Sequence, residues 1–514
     1  MPALASNVRM VAFWRGFHLP DPAQCSRERW FVLSRKLFLA VVLFLLAGSA
    51  VSPAQTLKSL VNQPPDGAEM GYLMTDGTVL IQGNGCSDWW KLTPDIDGSY
   101  INGTWKQMAT LPSGYVPLYF AGAVLADGRV IIEGGEYLDF VFAFTDKGAI
   151  YDPLKNAWTS VKPPANWGFI GDSPSAVLPD GEFLVGRKFD KRMAVLDPAT
   201  LTWTEVSSAG KHDENAEEGW TLMPDGSILT VDVKGNPFSE RYIPSMSEWV
   251  TAGKTPTNLQ GPPQVGCIPY GHNQKYCPPG EIGPAILLTD GSVFATGALH
   301  QNASTGHTAV YHPGENSTDP GTWTVGPDFP NGDAAGDSYA TLLTNGRVLV
   351  EGNSGYLYEY DGTKFSTGPF IGPGYTPLIT LPTGEVLVGG GEVYTSTGKY
   401  SSAWAPTIKT FPSTVKPAST YKISGTQFNG LSQAGAFGDE NQIATNYPLV
   451  RIKNISSGHI VYARTHDHST MAVATGKAIV STNFDVPAKI ETGASSLQVV
   501  TNGIPSKAVS ITVN

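Results

Sequence analysis

Short apolar runs alternate along most of the chain with clusters of Gly, Asp, Asn, Thr and Pro. That rhythm predicts short strands joined by tight turns, and no sustained helical period interrupts it. The clearest unit runs from Tyr119 to Gly135 and reads as a strand, an Asp127-Gly128 hairpin turn, a second strand and a Gly pair. Asp-Gly suits a two-residue hairpin turn, because such turns need positive φ, which Gly supplies freely and Asp tolerates. The unit aligns with six further stretches through the turn residues Asp76, Asp127, Asp180, Asp225, Asp290, Asn345 and Thr383. An aromatic trails most of these turns: Trp105, Trp158, Trp203, Trp249, Trp323 and Phe365.

Each copy holds about four short strands, which cannot bury both faces of a sheet alone. Radial stacking solves that problem and leaves few exposed edges. The spacing scatters around the roughly fifty-residue kelch period. The predicted fold class is therefore all-β: a seven-bladed kelch-type β-propeller over residues 55–404. Leu57 to Pro64 resembles the segment that follows Trp105. It is predicted to add the outer strand of the last blade, with a ladder between residues 56–62 and 385–400. From about Ala405 the turn signature stops and alternating strand runs take over, predicting an immunoglobulin-like (E-set) β-sandwich over 405–514.

Composition fits this picture: 57 Gly and 39 Pro, with charged residues at 15%. The formal charge of −11, with no compensating basic run, excludes a nucleic-acid partner. Residues 1–54 read as a signal peptide with an N-terminal extension. Arg27, Arg29, Arg35 and Lys36 precede the apolar run Leu37 to Ala47, which is too short to span a bilayer. Ser52-Pro53-Ala54 supplies small residues for cleavage before Gln55. A secreted, periplasmic or cell-surface monomer is expected, with no membrane span after cleavage. Cys267 and Cys277 flank a Pro/Gly-rich loop and are expected to close it as a disulfide. Cys25 would leave with the signal, and Cys86 would stand unpaired.

Chemistry is expected where the first strand of each copy reaches the channel mouth, seven or eight residues before the turn. Those positions carry Glu69, Tyr119, Asp172, Glu217, Glu218, Asp337 and Tyr375. Converging carboxylates raise one another's pKa or recruit a cation, and oxygen-only donors favour Ca²⁺ or another hard divalent ion. The plainer alternative is that they cap strand ends around a wet channel. Trp89-Trp90 could offer a sugar-stacking platform. His466 and His468 alternate on one strand and could share a face, as a two-ligand metal patch.

Seven such copies followed by a sandwich resemble the galactose oxidase and glyoxal oxidase group of secreted copper-radical enzymes. The family holds copper with two Tyr and two His, one Tyr being crosslinked to a Cys. By resemblance, Tyr119 matches the crosslinked tyrosine, Tyr375 the second tyrosine and Thr465-His466 the sandwich Thr-His. Two departures stand out: Thr376 replaces a copper-binding His, and no Cys lies near Ala68. The expected function is thus binding, or else processing, of carbohydrate at an acidic channel mouth, with a divalent cation and without copper. A copper-dependent oxidase of primary alcohols or aldehydes using a substitute ligand is the alternative. A structural or adhesive surface module is the third reading.

Overall fold

The computed structural model describes residues 55–263, 267–270, 274–277 and 280–514. The leader and its export therefore lie outside the described residues. The chain is all-β: only the three-residue 3₁₀ turns Pro330–Gly332 and Ser402–Trp404 depart from strands, turns and loops among those residues. No helix among them is long and apolar enough to cross a membrane.

Each of the aligned turns joins the first two strands of a four-stranded antiparallel meander. In the first copy the strands are Gly71–Leu73, Val79–Gln82, Trp89–Thr93 and Thr104–Gln107. The first two are wholly buried and the fourth is largely exposed, so hydrophobicity falls from first strand to fourth. The turn itself differs from the expected two-residue type. Leu125 and Arg129 close a three-residue loop, in which Gly128 alone takes a left-handed φ of 84°. Asp127 instead stays right-handed and accepts the Arg129 N–H at 3.0 Å through its side chain. Asp76, Asp180, Asp225, Asp290 and Asn345 do the same two residues on. Asp is thus selected for its acceptor oxygen and Gly for its φ.

First strands of successive meanders pack on one another, and Leu378–Thr380 of the last packs on Gly71–Leu73 of the first. The expected ladder closes this arrangement: Thr56–Ser59 pairs antiparallel with Glu392–Thr395, Leu57 opposite Tyr394. Indole hydrogen bonds tie the outer strands together. Trp105 donates to the Asn62 carbonyl, Trp158 to Ala109 and Trp203 to Lys162. Asn62 follows the closing strand Thr56–Ser59 closely, as Ala109 follows the strand Thr104–Gln107.

Beyond residue 405, strands from Thr407–Thr410 to Val509–Val513 form a connected, mostly antiparallel array around Ile423, Phe428, Val450, Phe484 and Leu497, with Thr414–Val415 pairing parallel to Val509–Val513. One hairpin leaves it. Ala434–Phe437 and Gln442–Ala444 continue the Tyr339–Leu342 edge and touch first strands of several meanders. Its polar tip is anchored on all sides: Tyr72 donates to Asn441, Ser175 to the Glu440 carbonyl and Gln442 to the Trp220 carbonyl.

Cys267 and Cys277 form the expected disulfide. Cys86 is not the unpaired cysteine of the sequence reading, since it is itself disulfide-bonded and no described cysteine is free.

Candidate functional site

The position eight residues before the turn is conformationally unusual. Tyr119, Glu217 and Asp337 all take left-handed φ there, at 51°, 56° and 50°. Where a glycine precedes, as at Gly67 and Gly171, the glycine takes that conformation instead. A left-handed non-glycine residue costs about 1–3 kcal/mol and persists only where its surroundings impose it. Three copies therefore hold a strained residue at the same place, each with a side chain that can hydrogen-bond or ionise.

Tyr119 and Tyr375 meet edge to face, 5.8 Å between centroids. Phe437, from the C-terminal hairpin, stacks on Tyr119 at 6.4 Å and meets Tyr375 edge-on at 5.7 Å. The Tyr375 hydroxyl donates to Asp337 over a long 3.4 Å. Burial and nearby carboxylates raise both phenols well above their ordinary value, Glu69, Asp337 and Glu136 acting on Tyr119.

Around this pair the carboxyl groups converge. Lys188, itself buried, bridges Asp172 and Glu217, the latter at 2.6 Å. Asp172, Glu217 and Asp439 each bring an oxygen within 4.8 Å of the others. Glu136, Glu281, Asp337 and Glu440 complete the cluster electrostatically. Burial raises Asp172, Glu281, Asp337 and Asp439 well above the carboxylate range, and mutual repulsion adds to it. Glu136 rises to about 7, through burial first, with Lys188 opposing the shift. Asp172 Oδ1 is buried without a hydrogen-bond partner.

The structure sorts the expected residues. Asp172, Glu217, Asp337, Tyr119 and Tyr375 are together. Glu69 is half-buried beside them, raised to about 7 by burial. Glu218 is not at the rim: its neighbour Glu217 faces the mouth, so Glu218 turns inward onto Lys211 at 2.8 Å. Trp89 is fully buried between Tyr72 and Trp158 and cannot stack on a sugar, while Trp90 is half-buried. His466 is held by Asp467 at 2.8 Å and Asp485 at 3.2 Å. His468 instead lies parallel to the Tyr447 ring, its pKa pushed down to about 3 by burial. The two histidines thus have different hydrogen-bond partners, His468 bonding Thr482 at 2.9 Å.

Sequence reasoning missed Glu136, Lys188, Glu281, Phe437, Asp439 and Glu440. Glu136 and Glu281 lay within reach of it, one after the Gly pair and one just before Ile282. The hairpin residues carried only a faint mark, the polar run Gly438-Asp-Glu-Asn-Gln442 between apolar residues. A separate cavity of about 510 Å³ opens among the hairpin turns and is lined by Asp180, Asp225 and Arg241. None of the rim residues lines it.

No family model matches the chain. It is 28% identical over 130 residues to the Kelch-like protein terF of Aspergillus terreus, 24% of this chain and 26% of that protein. The match thus spans about a quarter of that relative's length. A fungal alcohol oxidase of the AA5 family, solved in complex with copper, superposes with a TM-score of 0.50 at 12% identity, covering 90% of this chain and all of that one. A virginiamycin B lyase of Staphylococcus aureus gives 0.45 at 13% identity over 67% of this chain. The fold is that of the galactose-oxidase-like kelch proteins. Tyr119 and Tyr375, the tyrosines that the resemblance singles out, lie in contact, and the C-terminal hairpin reaches them through Phe437. Of the positions that the resemblance assigns to copper, Thr376 stands where a histidine is expected and offers Glu351 its backbone N–H at 2.9 Å, and His466 is engaged by Asp467 and Asp485. Phe437 brings an apolar ring to the tyrosine pair, and a hydroxyl is no replacement for an imidazole toward copper.

Proposed function

We propose that this galactose-oxidase-like propeller is an exported carbohydrate-binding protein whose ligand sits at the acidic mouth. In this reading the meanders are seven blades of one ring, and residues 405–514 are an immunoglobulin-like sandwich that sends its hairpin into the channel. The carrying observation is the convergence of Glu136, Asp172, Glu217, Glu281, Asp337, Asp439 and Glu440 beside Tyr119 and Tyr375. Carboxyl groups accept hydroxyl hydrogen bonds bidentately, and aromatic rings stack on the apolar faces of sugars. Strained residues at three equivalent positions support a binding role, since packing alone would select glycine there. Radical-copper oxidation lacks its second-histidine donor at Thr376. A Ca²⁺-type ion suits the oxygen triad Asp172, Glu217 and Asp439, with Lys188 as its competitor.

A processing role is the second reading. Glu136, raised to about 7, stands near the ion-paired Glu217. One protonated and one ionised carboxyl in a shared site is the arrangement of an acid/base pair. A glycan array followed by calorimetry tests binding, and a hydrogen-peroxide assay on primary alcohols after copper loading tests the oxidase. Glycan binding without peroxide is expected. A blank array, or peroxide release that Tyr119→Phe abolishes, overturns the reading.

A further inference from the structure

The acidic mouth adjoins an aromatic wall. The hairpin Tyr137–Leu138/Val141–Phe142 is an addition to the second copy, pairing with Pro117–Leu118 outside the four-stranded meander. Its rings continue the site outward: Tyr119 meets Tyr137 at 6.0 Å, Tyr137 meets Phe142 at 5.7 Å, and Phe142 meets Phe144 at 4.8 Å. Val141 is 64% exposed and Phe142 36%. Such a strip of exposed apolar side chains needs an occupant, and its neighbours say which kind. Seven carboxyl groups lie at its inner end, and the basic side chain acting on them is Lys188.

Lys188 shows what this environment does to an ammonium. Its Nζ lies between Asp172 and Glu217 and 5.6 Å from the centroid of the Phe144 ring. An ammonium group is thus already accommodated by carboxylates on one side and an aromatic face on the other. Lys188 is one cation among seven acids that burial pushes toward their neutral form, and Asp172 Oδ1 still has no donor. A neutral sugar hydroxyl can fill that acceptor but brings no positive charge to favour the ionised acids. A protonated amine does both.

Resting on the carbohydrate reading, we infer that the ligand is a glycan bearing protonated amino groups. One ammonium is held among Asp172, Glu217 and Asp439, and the apolar ring faces lie along Tyr137 and Phe142. No group transfer is involved.

Calorimetry on the full chain at pH 7 tests it, with a glucosamine tetramer, its fully N-acetylated counterpart and spermidine as probes. The aminated tetramer is expected to bind at least about tenfold more tightly than the acetylated one, the scale of one charge-assisted contact. Phe142→Ser, at an exposed position, is expected to weaken it by about fivefold. Equal affinity for both tetramers, or preference for the acetylated one, overturns the amine inference and leaves the carbohydrate reading standing. Binding of spermidine with neither tetramer overturns the carbohydrate reading and this inference with it, as does binding of none.

Discussion

At the scale of single residues, several of the clustered side chains sit on strained backbone. Tyr119, Glu217 and Asp337 hold left-handed backbones that glycine would adopt without strain. Asp337 also repels Glu217 and Glu440. Asp337→Gly removes both penalties and is expected to stabilise the protein by about 1 kcal/mol in urea unfolding, with weaker ligand binding. Lys188 works in the opposite direction. Lys188→Met leaves Asp172 and Glu217 buried without their counter-charge, and is expected to cost about 3–5 kcal/mol at pH 8. At pH 5 the loss should be smaller, because Asp172, raised well above the carboxylate range by burial, can then take up a proton. The carboxylates at the turn-counted positions were legible from the repeat alone. Lys188 was not, since it lies outside the counted register and its partners are set by folding.

At the scale of elements, the repeat was legible because hydrophobic burial and turn chemistry agree at every copy. The closing strand was legible for the same reason: Leu57 to Pro64 carries the sequence of an outer strand, and its Asn62 takes the Trp105 indole hydrogen bond. Deleting residues 55–59 should cost about 2 kcal/mol, from four ladder residues at about 0.5 kcal/mol each. Hydrogen exchange should then accelerate first at the uncovered 392–395 edge. The Ala434–Ala444 hairpin was hidden, because its short apolar strand resembles the other strands beyond residue 405. Its destination depends on contacts with Tyr72, Ser175 and Trp220 far away in sequence. Phe437 is 3% exposed. Phe437→Ala should cost about 3–5 kcal/mol, measured by thermal unfolding.

For the whole molecule, the buried acids set the dependence on pH. Burial raises Glu69, Glu136 and Asp232 to about 7 and Glu351 to about 8. An acid whose pKa is higher folded than unfolded binds more protons in the native state. Its stabilising contribution is complete below the unfolded value near about 4 and is lost as pH rises through the folded one. Unfolding free energy should therefore fall between pH 5 and pH 8 in chemical denaturation. Ligand binding by a cation should oppose that fall, since it favours the ionised acids. The direct measurement is calorimetry of the glucosamine tetramer on the wild type and on the double variant Glu136→Gln/Asp337→Asn, both half-buried positions. Binding to the wild type that falls at least about tenfold in the double variant, with melting no lower than the wild type's, is the predicted result. Equal affinity in the two proteins would contradict the placement of the ligand at the mouth.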